Sequence, residues 1–157
     1  MNVFRDASKI GLISDTHGLL REEALRALQG SDLILHAGDV GDPGILESLR
    51  RLAPVVAVRG NVDTEPWADS LPATEMVSAS GVIVYLLHDV HSLDLVPQAA
   101  GFAIVLSGHS HKPKQERRNG VLYINPGSAG PRRFQLPISL ARLDLSARPW
   151  SVEFVSL

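Results

Sequence analysis

Three short apolar runs, alternating with two helix-spaced stretches inside residues 9–60, constrain this chain more than any other feature. "KIGLIS" (9–14), "DLILHAG" (32–38) and "PVVAVRG" (54–60) are too short for helices and read as buried strands. Between the first two, Leu20, Ala24, Ala27 and Leu28 fall at helical spacing, and Gly30 stops that helix. Between the second and third, Asp42 occupies an N-cap position, Pro43 the first helical residue, and Ile45, Leu49 and Leu52 share one face. Strand–helix–strand–helix–strand in so short a span argues for right-handed βαβ units around a parallel sheet.

After a polar, proline-containing loop (63–72) the pattern changes. "TEMVSASGVIVYLLH" reads as two strands joined at Ser80-Gly81, and "KPKQERRNGVLYIN" as a hairpin with an Asn119-Gly120 type I′ turn. A short helix is expected from Pro97 to Gly101, before the strand "FAIVLSG" (102–108). "ISLARLDLS" and "WSVEFVSL" alternate as half-buried antiparallel strands do. No linker interrupts residues 1–157, so one α/β domain is expected, with a parallel first half and a strand-rich second half.

Composition mainly excludes. Fifteen Lys+Arg against 17 Asp+Glu give a net charge of −2, with no electrostatic reason to expect nucleic acid or an acidic membrane as partner. The absence of cysteine removes disulfides and thiolate metal sites. "MNVFRDASK" lacks the apolar region of a signal peptide, and the longest apolar run, "VIVYLL" (82–87), is far too short to span a bilayer. A cytoplasmic protein is the expectation.

The metal-capable side chains follow the strand ends. Asp15 and His17 follow the first strand, Asp39 the second and Asn61 the third; His88 follows "VIVYLL", and His109 and His111 follow "FAIVLSG". Loops at the carboxyl ends of strands are where open α/β sheets place ligands, so residues far apart in sequence can converge there. Two carboxylates, four imidazoles and a carboxamide form a mixed oxygen and nitrogen set that suits Mn, Fe, Zn, Co or Ni. Seven candidates exceed one tetrahedral ion but suit two ions of higher coordination number sharing a carboxylate. Such a pair clamps the attacking and leaving oxygens of phosphoryl transfer and supplies hydroxide at neutral pH.

"SDTHG", "GDVGD", "RGNVD", "LLH" and "GHSH", in that order, resemble the calcineurin-like binuclear metallophosphoesterase superfamily. With "GNVD" and "INPGS" (124–128), the chain is most similar to its small YfcE-type phosphodiesterase branch, which also contains the retromer scaffold subunit. The resemblance implies a four-layer α/β/β/α sandwich of two mixed sheets flanked by helices. It also implies a phosphodiesterase in which hydroxide bridging two divalent ions, manganese first among them, attacks a small phosphodiester or phosphoester. By position, Asp15, His17 and His111 would hold one ion, and Asn61, His88 and His109 the other. Asp39 would bridge them, and Asn61 would also lie beside the substrate phosphate. Val62 stands where larger relatives have a histidine that protonates the leaving group, which makes His91 in "HDVHSLD" the candidate donor or phosphate contact. The alternative on the same fold is a metal-binding interaction scaffold, whose partner would meet an apolar area around Leu93, Leu95 and Val96. A homo-oligomer is compatible with either reading.

Other residues carry competing readings. His36 is a packed core residue or a hydrogen-bond partner of a ligand carboxylate. Asp63 orients a ligand or caps a turn, and Asp42 is an N-cap before it is anything catalytic. Arg132 and Arg133 are solvated side chains or substrate-phosphate contacts, Arg132 first among them. Trp67 and Trp150 are packing residues.

Overall fold

The computed structural model describes residues 1–157. Its strands are β1 (Asn2–Phe4), β2 (Lys9–Ile13), β3 (Leu33–His36), β4 (Val55–Ala57), β5 (Thr74–Ala79), β6 (Val82–Leu87), β7 (Ile104–Leu106), β8 (Lys114–Arg118), β9 (Val121–Asn125), β10 (Ser139–Asp144) and β11 (Ser151–Ser156). The helices are α1 (Glu22–Leu28) and α2 (Pro43–Arg50). A five-stranded sheet runs β11-β10-β2-β3-β4, with β2, β3 and β4 parallel and β10 and β11 antiparallel. A six-stranded sheet runs β1-β5-β6-β7-β9-β8, with β6, β7 and β9 parallel. Both sheets are mixed, and the two helices lie on the outer face of the first.

Alternation along each strand explains the layering. Ile10, Leu12, Leu33 and Leu35 meet Val84, Leu86, Ile104, Leu106, Leu122 and Ile124 in the inter-sheet core. The intervening Ile13 and Ile34 face Ala24 and Leu28 of α1 and Leu46 and Leu49 of α2. Gly11 is required at this second interface, because a Cβ there would lie 2.5 Å from Leu28 Cδ2. The Asp42 carboxylate caps α2 by accepting from Gly44 N at 2.8 Å, as expected. Ser80-Gly81 and Asn119-Gly120 both turn through positive φ, the I′ geometry that a tight hairpin needs. Trp67 and Trp150 pack against the cores.

Two expectations change. The short helix at Pro97–Gly101 is a single turn, closed by Phe102 N to Pro97 O at 3.0 Å. Proline brings no N–H to it and Gly101 leaves the helical region at φ +81°, so it cannot propagate. The fourth layer is therefore thin, and Val90, Leu93 and Leu95 cover Tyr85, Leu87, Phe102, Val105 and Val121 on the outer face of the six-stranded sheet. Leu93 and Leu95 are half-buried packing residues, and Val96 alone of that trio is exposed. The expected apolar docking area is thus largely part of the fold. Strand β1, which the sequence pattern does not reveal, pairs parallel with β5. No helix is long and apolar enough to cross a membrane.

Candidate metal centre

The carboxyl ends of β2, β3, β6 and β7 bring Asp15, His17, Asp39, His88, His109 and His111 together across the two sheets. Backbone bonds tie the loops to one another. Asp15 N donates to Gly38 O (3.0 Å), His17 N to Asp39 O (2.9 Å) and Gly108 N to His88 O (2.9 Å). The approach is so close that a Cβ at Gly60 would collide with Asp39, and one at Gly108 with Ser14 and Asp15.

Five of the eight non-glycine residues with positive φ are Asp15, His17, Asp39, His109 and His111. Such conformations cost of the order of 1–3 kcal/mol each and persist where surrounding structure imposes them, commonly at functional sites. Two of the other three, Ser80 and Asn119, are the hairpin turns.

Each carboxylate has one oxygen committed to the protein and one turned to the imidazoles. Asp15 Oδ2 accepts from Ser14 Oγ (2.6 Å) and His109 N (3.1 Å), and Asp39 Oδ1 from Val62 N (3.0 Å). Asp15 Oδ1 faces His111 Nε2 at 3.3 Å and His17 Nε2 at 3.7 Å. Asp39 Oδ2 lies between His88 Nε2 (3.1 Å) and His17 Nε2 (3.6 Å). The backbone carbonyl of Ala37 can only accept, so His88 donates Nδ1–H to it (2.8 Å) and turns its Nε2 lone pair to the cluster. His109 Nδ1 stands 3.3 Å from that same nitrogen.

The donor set fits divalent metal. Asp15, His17 and His111 form one group of converging ligand atoms, and Asp15, Asp39 and His88 another. Three of the four buried side-chain polar atoms without a hydrogen-bond partner are Asp15 Oδ1, His17 Nε2 and His111 Nδ1. Orphaned lone pairs at such depth are costly unless a cation meets them. Electrostatics agree. Burial opposes the charge on Asp15, yet His111, His17, Ser14 and His88 hold its carboxyl well below the ordinary carboxylate range. Burial likewise opposes the charge on Asp39, and His88 with the Val62 N–H outweighs it. His88 is raised by Asp39 and Asp15 against its own burial.

Asn61 is exposed at the rim, next to the Val62 N–H that binds Asp39. His91 is exposed, and its backbone N (3.0 Å) and ring Nδ1 (3.1 Å) both meet Asp89 Oδ1. Arg132 donates to Leu136 O at 3.2 Å within its own exposed loop. Asp63, ambiguous in sequence, accepts from Val40 N (3.1 Å), Gly41 N (2.9 Å) and Gly60 N (2.9 Å), tying the Asp39 loop to the Asn61 loop. His36 touches no ligand carboxylate; it lies buried between Gly38 N (3.1 Å) and Thr16 Oγ1 (3.0 Å). Asp89 is not among the residues expected from the sequence, although its position directly after His88 marks it for the same loop.

A two-sheet α/β scaffold with an oxygen- and nitrogen-donor cluster at its strand ends defines a metal-site fold of the phosphoesterase kind. The chain belongs to the calcineurin-like phosphoesterase superfamily, whose domain model matches residues 9–148. A probable metallophosphoesterase of Methanocaldococcus jannaschii is 36% identical over 132 residues, covering 76% of this chain and 67% of that protein. Phosphodiesterase YfcE of Escherichia coli K12 is 27% identical over 167 residues, 87% of each chain. A solved structure of the E. coli phosphoesterase YfcE superposes with a TM-score of 0.70 at 26% identity, over 94% of this chain and 98% of that one. The fold is shared with Vps29 of Chaetomium thermophilum, at TM-score 0.77 and 20% identity, covering 95% of this chain and 97% of that one.

Proposed function

We propose that this protein hydrolyses small phosphodiesters with the help of two divalent metal ions, in the cytoplasm. The observation that carries the reading is the position of Asp39 Oδ2 between His17 Nε2 and His88 Nε2, 3.6 and 3.1 Å away, with Asp15 Oδ1 unpaired beside them. Asp15, His17 and His111 would hold one ion, Asn61, His88 and His109 the other, and Asp39 would bridge. Manganese, iron, zinc, nickel and cobalt all suit carboxylate and imidazole donors, and manganese is the first to test. When bound, the ions would neutralise phosphate charge and lower the pKa of a water.

The chain's own residues do the rest. The Ala37 carbonyl fixes the His88 tautomer and leaves Nε2 free to ligate. The Asn61 carboxamide, exposed at the rim, can also donate to a phosphate oxygen. His91 is the candidate proton donor to the leaving oxygen. With Nδ1 held on Asp89, its Nε2 is free to carry that proton. The scaffold alternative rests on fold likeness at 20% identity and has no further feature in its favour.

The test is hydrolysis of bis(p-nitrophenyl) phosphate by metal-stripped protein, with and without added Mn²⁺. Turnover that requires the metal and is lost in Asp39→Ala is expected. Turnover indifferent to both would remove the reading.

A further inference from the structure

A cavity of about 280 Å³ opens directly beside the metal centre, on the outer face of the six-stranded sheet. Strand alternation fixes which side chains line it. Leu122 and Ile124 of β9 point into the inter-sheet core, so Tyr123 and Asn125 point outward. The register sets Lys114 opposite Asn125, Glu116 opposite Tyr123 and Arg118 opposite Val121, which puts Lys114, Glu116 and Arg118 on that outer face. Lys112 extends the row towards His109, and Asp89 and His91 form the facing wall. His109 belongs to both places: its ring lines the cavity, and its Nδ1 lies 3.3 Å from His88 Nε2. Asn125 pins this junction by donating to Gly108 O (2.8 Å) and Ser110 Oγ (3.0 Å).

The wall has a definite chemistry. Glu116 is shared between Lys114 (3.1 Å) and Arg118 (3.4 Å), and the Arg118 guanidinium sits 4.3 Å over the Tyr123 ring. Lys112 makes no salt bridge, so three cations, Lys112, Lys114 and Arg118, line the cavity against two carboxylates, Glu116 and Asp89. Only three of the fourteen lining residues are hydrophobic, so charged and polar side chains are at hand to orient a ligand. The volume is near the low end of small-ligand sites, roughly 300–1,000 Å³, and suits a small molecule better than a polymer.

Resting on the phosphodiesterase reading above, we propose that this cavity is the leaving-group subsite. It takes a small polar alcohol that carries its own anionic group, a phosphate or carboxylate, held by Lys112 and Lys114. The leaving oxygen would then depart on the side of the Asp89–His91 pair, where a proton donor is needed. The substrate class becomes a small phosphodiester with a second negative charge on its leaving alcohol.

Calorimetric titration of glycerol 3-phosphate into Mn²⁺-loaded protein tests the subsite without requiring turnover. The wild type should bind it, and the Lys112→Ala/Lys114→Ala variant should bind about tenfold more weakly, the loss expected for charge-assisted hydrogen bonds. The Arg50→Ala/Arg51→Ala variant removes equal charge from exposed positions at the end of α2 and should bind as the wild type does. No binding by the wild type, equal affinity in the lysine variant, or equal weakening in the arginine variant would each overturn the proposal. Failure of the phosphodiesterase reading would be seen separately, as absent Mn²⁺-dependent turnover of bis(p-nitrophenyl) phosphate.

Discussion

His36 Nε2 lies 3.0 Å from the hydroxyl of Thr16, the residue between the candidate ligands Asp15 and His17. The Gly38 N–H points at Nδ1, so a neutral ring carries its proton on Nε2 and donates it to Thr16, whose hydroxyl donates to Val40 O at 2.8 Å. Burial pushes the pKa of His36 down to about 4. An unfolded chain takes up that proton near the ordinary 6.5, so it binds more protons than the native state between 6.5 and about 4. Stability should therefore fall as pH drops through this window, by about 1.4 kcal/mol per unit. His88, whose pKa is raised, gives a contribution that is complete below 6.5 and lost only above it. Asp15 and Asp39, whose pKa values are lowered, lose theirs below 3.8, so the window belongs to His36. Urea unfolding in EDTA at stepped pH should show that slope in the wild type and a flatter one in His36→Gln.

Asp63→Asn should separate the two loops that Asp63 joins. Its carboxylate accepts three backbone N–H groups, and an amide, with one acceptor oxygen, leaves at least one part-buried donor unpaired and facing the new NH2. A loss of about 1–3 kcal/mol is expected for such a donor. Thermal unfolding and Mn²⁺ titration should both register it, because the Val40 and Gly60 amides flank the candidate ligands Asp39 and Asn61.

At Gly108 no side chain is tolerable. A methyl group there meets Ser14 and Asp15 Oδ2, neither of which can retreat without moving a buried candidate ligand. Gly108→Ala should lower metal affinity by roughly the 10–100-fold typical of disturbed supporting contacts. Equilibrium dialysis against Mn²⁺ is the check.

Asp42→Ala offers a contrast, because the N-cap of α2 is exposed and makes its bond to Gly44 N rather than to the cluster. It should cost about 1 kcal/mol of stability, read by urea unfolding, and leave Mn²⁺ affinity unchanged.

Much of the site was legible because its chemistry is carried by residue type and by place. Aspartate and histidine directly after a buried strand can be read without knowing any contact, as Asp15, Asp39, His88 and the His109–His111 pair show. Conformation was not legible. Nothing in the letters says that Asp15, His17, Asp39, His109 and His111 take positive φ, since none is glycine. Partners set by tertiary approach were hidden for the same reason: Asp63 meets amides from residues 40, 41 and 60, and His36 meets Thr16. Strand β1 is not legible because three residues give too little period and its parallel partner, β5, lies more than seventy residues away. Leu93 and Leu95 looked exposed because their cover, the outer sheet face, is assembled from β6, β7 and β9.

Two ions that share Asp39 and divide the histidines between them would show in a count of bound metal. Wild-type protein and His111→Ala, each loaded with Mn²⁺ and freed of excess, should be compared by elemental analysis. The wild type should hold two ions per chain, and His111→Ala should lose the ion expected on Asp15, His17 and His111. No more than one tightly held ion in the wild type, or full retention of both in His111→Ala, would rule out the shared two-ion arrangement.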